Sequence, residues 1–557
     1  MRRLQESAFV YCLFVDIAIV MEVSSRLSGS YASSSPCGKL LACITDGRLR
    51  LHPTQAPQRL HADFAVKTAA RDVTTLAWSS DSSYIAVVSD SHVEVRDVED
   101  PGTFVRIDNG SGGLGRFISA SFVGDGDLLT LWEFGRAKIW NPSTGKGTDL
   151  GDFKTTCDGL AWQERPTGEI RTIASLARPA AEDTLTMHFS ESSTSMPPVR
   201  LPTVDAQALS WSPDGRWLAV LDTPTARPSV HFYTPDAHLF RSYPATSPLD
   251  STSGLGVKAV TWSADSRTVA LSRYNGTVVL LNATTFAPLA MIEHNITIDQ
   301  TSLPAHQQAP IWREAVSAAN ERSYSLAAQP VSPPISRPKP STEPSELGIA
   351  ETTFSADGSY LATHDERMLS TVWVWNTSTL AAHAVLMQHH DVRKVHWHPT
   401  RASLAMLDCG EGIGYLYDAS ASSPLTPMSV PLPGNSGFAW VRTEVEGRLA
   451  VLCTTKSSFR VLYPEGCDTA AHDTDSQTGV GADMFEEGTS EDSLLDVLSG
   501  RKPAPDRKSE TSYTDIVEIE AYAADGSQTL GLDDTFREKS RARTAVEADP
   551  LDDSQIF

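Results

Sequence analysis

The chain is 557 residues long, 40% hydrophobic and 21% charged, with a formal net charge of −23. This length suffices for a large core, and the lack of an extended amphipathic helical pattern favours an all-β protein. The acidic balance argues against direct nucleic-acid binding, because such binding depends on cationic side chains that release counterions. Seven scattered cysteines without a C-x-x-C pair argue against a disulfide framework or zinc ribbon and favour a reducing compartment.

The first twenty residues form an apolar extension. Met1-Arg2-Arg3 precedes an apolar run from residue 8 to 20, which Asp16 interrupts. The pattern resembles a secretory signal peptide, but a charge inside the apolar region disfavours that interpretation. An upstream mis-start or a degenerate extra strand are the alternatives, and no other stretch is apolar for long enough to span a bilayer.

A short pattern of strand, tight turn and strand recurs from residue 21 to 464. Its clearest copies span residues 209–220, 260–271 and 353–363, where an aromatic residue precedes a turn of the Ser-Pro-Asp-Gly type. The turn residues supply the backbone angles of a hairpin, and the apolar residues that follow pair back as a strand. A regular repeat of this kind predicts a repeat architecture.

Eight aromatic anchors and one degenerate first copy at residues 35–42 give nine units. Successive anchors lie 40 to 51 residues apart, except for a gap of 92, and this period is typical of a four-stranded propeller blade. We predict an all-β WD-repeat β-propeller of about nine blades in one ring, with seven blades plus two imperfect units as the alternative. The anchors, expected to pack between blades, are Trp78, Phe122, Trp162, Trp211, Trp262, Phe354, Trp397 and Trp440.

Most units end in a strand at the position where a WD repeat has its Trp-Asp pair. Only Asp97 and Asp418 keep the aspartate; Asn141, Asn282 and Asn376 replace it elsewhere. No regular Gly-His pair precedes the repeats. We therefore expect the side-chain network of WD blades to be incomplete.

An insertion of about residues 283–345 accounts for the long gap. Its end is proline-rich, which is incompatible with a sheet ladder, and Ile311–Val316 in its middle has the composition of a strand. One interpretation is an enlarged loop between strands of one blade. The other is a peptide-docking element that uses Trp312 and the proline-rich segment.

The motifs that suggest chemistry are weak. Residues 110–115 match G-x-G-x-x-G, but a blade strand follows where a dinucleotide site needs a helix. The densest histidine cluster, His389, His390, His396 and His398, lacks the partners of a closed metal site. We predict no enzyme activity, no catalytic residue, no cofactor and no metal.

Residues 465–557 hold 23 acidic and 8 basic residues and follow no blade pattern. This composition predicts a disordered acidic tail. Leu494, Leu495 and Leu498 would share one face of a short helix after an acidic start, which makes them candidates for binding a partner. Unstructured apolar residues are the alternative, since so short a helix is marginal alone.

The chain resembles the WD-repeat-containing protein eight family, in a fungal version. The matching stretches are residues 106–114, 254–282 and 347–376, and the ordered set with its insertion covers about residues 21–464. The resemblance implies a non-enzymatic scaffold in the cytoplasm, at the cytoskeleton of the spindle pole body or centrosome. No partner-contacting residue is carried over from the family.

The expected partners are proteins only, without membrane or direct nucleic-acid contact. They are a coiled-coil anchoring adaptor, a kinesin-14 motor and the microtubule-nucleating machinery, which together anchor microtubule minus ends in the mitotic spindle. The alternatives are a propeller-type translation initiation factor that binds ribosomes and, more remotely, a propeller hydrolase.

Overall fold

The computed structural model describes residues 22–464 except 67–71, 101–103, 109–113, 125, 156–160, 169, 190–193, 245–255, 320, 337–346, 411, 422–424, 430–435 and 444–447. The described part consists of strands and two 3₁₀ turns, Pro179–Ala181 and Ala305–Gln307, without an α-helix. No helix in these ranges is long and apolar enough to cross a membrane. The predicted extension (1–20), the predicted tail (465–557) and most of the glycine-rich motif lie outside the described residues.

The chain begins with two short strands, β1 (Glu22–Val23) and β2 (Leu27–Ser28), which belong to the last blade. Three antiparallel blades of four strands follow. Their strands are β3 (Ser30–Ser34), β4 (Leu40–Thr45), β5 (Arg48–Pro53) and β6 (Ala62–Ala65) in blade 1, β7 (Val73–Trp78), β8 (Tyr84–Ser89), β9 (His92–Asp97) and β10 (Phe104–Asp108) in blade 2, and β11 (Phe117–Val123), β12 (Asp127–Trp132), β13 (Arg136–Asn141) and β14 (Lys146–Asp152) in blade 3.

Blades 4 to 6 repeat this order, with the outer strand of blade 4 divided in two. Their strands are β15 (Trp162–Glu164), β16 (Thr172–Ala177), β17 (Thr184–Phe189), β18 (Thr194–Ser195) and β19 (Val199–Arg200) in blade 4, β20 (Ala208–Trp211), β21 (Leu218–Leu221), β22 (Val230–Tyr233) and β23 (Leu239–Tyr243) in blade 5, and β24 (Val257–Trp262), β25 (Thr268–Arg273), β26 (Thr277–Asn282) and β27 (Pro288–Glu293) in blade 6.

Blade 7 carries an added hairpin, and blade 9 is completed by the beginning of the chain. Their strands are the hairpin β28 (Ile311–Val316) and β29 (Arg322–Leu326), then β30 (Ile349–Phe354), β31 (Tyr360–Asp365), β32 (Thr371–Asn376) and β33 (Ala381–Met387) in blade 7, β34 (Lys394–Trp397), β35 (Leu404–Asp408), β36 (Ile413–Asp418) and β37 (Leu425–Ser429) in blade 8, and β38 (Gly437–Val441), β39 (Ala450–Thr454) and β40 (Ser458–Tyr463) in blade 9.

The nine sheets form a closed β-propeller, which confirms the predicted fold class and blade number. The first strands of neighbouring blades lie beside one another, and blade 9 meets blade 1 through β3 and a shared apolar core. The ring is closed by pairing between the two ends of this part of the chain: Val23 pairs with Leu462, and Leu27 pairs with Phe459.

The insertion differs in extent from the sequence interpretation. Strand β27, which lies inside the range assigned to the insertion, is the regular outer strand of blade 6. The added hairpin β28–β29 does not belong to that blade. It continues the sheet of blade 7, because β28 pairs in parallel with β33.

Candidate interaction surfaces

The repeated turn has the same side-chain chemistry in four blades. A serine hydroxyl donates a hydrogen bond to the aspartate two residues later and accepts one from the backbone N–H five residues later. In blade 5, Ser212 lies 2.6 Å from Asp214 and 3.0 Å from the Trp217 nitrogen. The Ser-x-Asp pair therefore fixes the first hairpin of these blades.

Five of the eight predicted anchors also bond to the preceding blade. Their indole N–H groups donate hydrogen bonds of 2.9 to 3.3 Å to the first strand of that blade. The acceptor lies at or next to the residue that corresponds to the anchor in that preceding blade. The pairs are Trp78 to Ser33, Trp211 to Gln163, Trp262 to Ser210, Trp397 to Thr353 and Trp440 to His396. Phe122 and Phe354 have no such donor, and Phe122 and Trp162 lie half-buried in the cores beside blade 3.

The Asn residues at the Trp-Asp position accept the backbone hydrogen bonds that an aspartate accepts there. The Asn282 side-chain oxygen accepts hydrogen bonds from the Thr284 and Thr285 nitrogens, and Asp97 makes the same two bonds in blade 2. Because either side chain supplies the acceptor, losing the aspartate does not remove this turn.

Blade 7 has the hydrogen bonds of the WD side-chain network from its tryptophan through a threonine to a histidine. The Trp375 indole donates to Thr363 over 2.8 Å, and the Thr363 hydroxyl lies 2.8 Å from His294 Nε2. His294 Nδ1 is 3.6 Å from Asp365. Burial opposes ionisation of Asp365, but contacts from His294 and Arg367 outweigh it and lower the pKa of Asp365 to about 2.

Sequence reasoning missed His294 because it precedes its blade's anchor by 60 residues, with the hairpin between them. Among the described residues of blade 3, the indole step of this network is present, from Trp140 to Thr130 over 2.8 Å.

The added hairpin joins blades 7 and 8. Glu314 on β28 is fully buried and lies 2.7 Å from Arg322 on β29 and 2.6 Å from the Tyr415 hydroxyl on blade 8. Its second oxygen accepts a hydrogen bond from the His389 backbone nitrogen. Trp312, the predicted docking residue, lies half-buried beside Glu314, against the core shared by the two blades.

A cavity of about 200 Å³ lies between the outer strands of blades 3 and 4. Ile139 and Leu150 of blade 3 and Ile173 and Phe189 of blade 4 form its apolar walls. We call this cavity the blade 3–4 slot.

The inner strands of blades 7, 8, 9 and 1 line two cavities of about 700 and 760 Å³. Lys394 and Arg442 border the first, and Arg393 and Lys456 border the second. Burial raises the pKa of Glu351, which also lines the first cavity and accepts a hydrogen bond from the Val395 nitrogen.

The histidines of the predicted cluster have structural contacts. His398, which follows the anchor Trp397 as the turn serine follows other anchors, accepts hydrogen bonds at Nδ1 from the Thr400 and Arg401 nitrogens. Burial lowers the pKa of His396 to about 4. Within the described ranges, no three His, Cys, Asp or Glu side chains are grouped closely enough to hold a metal ion. Leu494, Leu495 and Leu498 lie outside those ranges.

Comparisons with known proteins agree with the fold. The WD domain, G-beta repeat family matches residues 64–97, which cover the first three strands of blade 2 and end at Asp97. The WD repeat-containing protein WRAP73 of Mus musculus is 27% identical over 434 residues, covering 74% of this chain and 89% of WRAP73. An uncharacterized WD repeat-containing protein of Schizosaccharomyces pombe, C32H8.09, is 26% identical over 394 residues, covering 69% and 77%.

Among solved structures, the crystal structure of the eukaryotic initiation factor aligns with a TM-score of 0.49 at 10% identity, covering 73% of this chain and 89% of that one. Likeness at this level carries no functional argument.

Proposed function

We propose that this WD-repeat protein is a non-enzymatic scaffold of the spindle pole body or centrosome. In this role it joins a coiled-coil anchoring adaptor to a kinesin-14 motor, and so tethers microtubule minus ends at the pole. The resemblance to the WD-repeat-containing protein eight family carries the proposal. Two of its matching stretches, residues 254–282 and 347–376, contain the inner three strands of blades 6 and 7, on either side of the added hairpin.

The architecture suits such a role. Indole hydrogen bonds between inner strands and the buried Glu314 cluster between outer strands fix neighbouring blades in place. A ring held in this way presents loops and edge strands at constant separations, so several partners can bind without a large motion.

The test is imaging of the tagged full-length chain through mitosis, with identification of co-purifying proteins. We expect one focus at each spindle pole and recovery of both a coiled-coil protein and a kinesin-14. Depletion should slow the refocusing of microtubules after cold depolymerisation, and re-expression should restore it. A diffuse cytosolic signal with ribosomes recovered, and no pole component, would favour the translation-factor alternative instead.

A further inference from the structure

The added hairpin shows how this propeller accommodates an extra strand beyond the four strands of a blade. The blades diverge from the axis, so a gap remains between the outer strands of two neighbours. Between blades 7 and 8 the hairpin fills that gap: β28 pairs with β33, and Trp312, opposite Leu386, packs into the core that both blades share.

The blade 3–4 slot is the corresponding gap elsewhere in the ring. Strand β14 takes the place of β33 as the fourth strand of its blade, and Thr148 and Leu150 face blade 4 across the cavity. Pockets that hold drug-sized molecules measure about 300–1,000 Å³. At about 200 Å³ the slot suits one large side chain instead.

Polar groups border the slot beside its apolar walls. Asp127 is bound by Arg171 at 3.0 Å and by Asn141 at 3.0 Å, and Asp149 is bound by Arg136. Lys146 also lines the slot and is exposed. Acceptor oxygens next to apolar walls match an aromatic side chain with a polar N–H or O–H, which is the chemistry of Trp and Tyr.

The outer edge of β14 is accessible. Five of its seven residues are exposed. Open space lies beside Gly151, whereas Gly147 packs against the Trp140 ring. An extended peptide adds to such an edge through main-chain hydrogen bonds, while pockets for alternate side chains provide specificity.

We propose that the blade 3–4 slot is a docking site for an extended segment of a partner protein. The segment adds as a further strand to β14 and inserts one Trp or Tyr side chain into the cavity, as Trp312 does in cis on blade 7. This inference rests on the proposed scaffold function and assigns it a surface.

The first experiment tests the cavity with a fragment. We expect 5-fluoroindole to bind the full-length chain, detected by ¹⁹F NMR, and the Thr148→Trp variant to lose this binding because the new indole fills the slot. The matched control is Ser325→Trp, which adds the same group to the exposed edge strand β29 and should bind like the unsubstituted chain. No binding to the unsubstituted chain, or equal binding by both variants, would overturn the cavity assignment.

The second experiment tests strand addition with a peptide that copies residues 309–317, which contain β28. We expect this peptide to bind the full-length chain at least about 30-fold more tightly than its Trp312→Ala version, as for a buried aromatic hot spot. Thr148→Trp should abolish the difference, and Ser325→Trp should preserve it. Binding of 5-fluoroindole without peptide binding would contradict strand addition and indicate a small-molecule slot.

The outcomes also separate this inference from the proposed function. If the unsubstituted chain reaches the spindle pole and neither probe binds, the slot assignment fails and the scaffold proposal stands. If the probes bind as expected but the chain stays away from the pole, the slot remains and the pole assignment fails.

Discussion

At the scale of single residues, buried polar groups decide how firmly neighbouring blades are joined. The Glu314 carboxylate has no exposed surface, and the Arg322 side chain is only 7% exposed. Removing one partner of a buried ion pair costs more than the pair contributes, because the other charge stays buried without compensation. The junction between blades 7 and 8 should therefore be sensitive to Glu314.

We expect Glu314→Ala to lower the free energy of unfolding by about 3–5 kcal/mol, since Arg322 then lacks its carboxylate. Tyr415→Phe, which removes a hydroxyl bonded to both charged groups and keeps the charge pair, should cost less, about 1.5–3 kcal/mol. Urea denaturation of the full chain measures both changes. Equal losses of unfolding free energy in the two variants would show that the charge pair contributes no more to stability than the Tyr415 hydroxyl does.

At the scale of elements, the hairpin β28–β29 has become part of the propeller wall. Ile311 is buried against Trp373 and Val385 of blade 7, and Trp312 packs on the opposite side towards blade 8. The hairpin thus extends the sheet of blade 7 and adds apolar side chains to the cores on both of its faces. These contacts give Trp312 a structural role, and its role in docking a partner stays a prediction.

Truncation of Trp312 tests that role. Replacing a fully buried Trp by Ala lowers the free energy of unfolding by about 3–5 kcal/mol. Because the Trp312 side chain is only half-buried, we expect Trp312→Ala to lower it by about 2 kcal/mol. The loss should appear in urea denaturation, and co-purification of protein partners should be unchanged. Leu326→Ala, at a side chain 61% exposed on the same hairpin, is the control and should have little effect on stability. Loss of partners without loss of stability would support the docking interpretation instead.

The hairpin also shows where sequence reasoning stops. The Ser-x-Asp turns and the aromatic anchors are local patterns, so the sequence predicts the blades and their number. The position of β28 depends on parallel pairing between Ile311 and Val385, which lie 74 residues apart, and no short-range pattern encodes it. The blade 3–4 slot escaped prediction for the same reason, because its walls come from two blades.

At the scale of the whole molecule, burial of many neutral histidines couples stability to pH. Burial lowers the pKa of six of them: His92, His188, His231, His294, His364 and His396. For His188 and His396 the pKa falls from 6.5 to about 4. Between these pH values the unfolded chain binds more protons than the folded one. The contribution of these histidines to the free energy of unfolding is therefore fully present above pH 6.5 and is lost as the pH falls towards 4.

We expect the free energy of unfolding to fall steadily from pH 7.5 to pH 5, by up to about 1.4 kcal/mol per pH unit for each histidine that titrates only in the unfolded chain. The double variant His188→Gln, His396→Gln removes two such groups and should have a shallower slope over this range. Urea denaturation at several pH values measures it. An unchanged slope would show that these two side chains keep an ordinary pKa in the folded protein.

Ring closure depends on the beginning of the chain. Besides the β1 and β2 pairings, the Ser24 nitrogen donates to the Val461 oxygen, and the Ser24 hydroxyl accepts from the Val461 nitrogen over 2.9 Å. Without residues 22–28, β40 would become an unprotected edge strand, which favours aggregation.

Two truncations separate this closure from the apolar extension. Removing residues 1–20 retains β1 and β2 and should leave the unfolding midpoint unchanged. Removing residues 1–28 deletes both strands, and we expect a loss of at least about 4 kcal/mol, since several hydrogen bonds worth about 1 kcal/mol each disappear together with the packing of Val23 and Leu27. Urea denaturation and light scattering measure stability and aggregation, and adding a peptide of residues 21–30 should restore part of the loss. Equal behaviour of the two truncations would mean that blade 9 holds the ring closed without the pairing to β40.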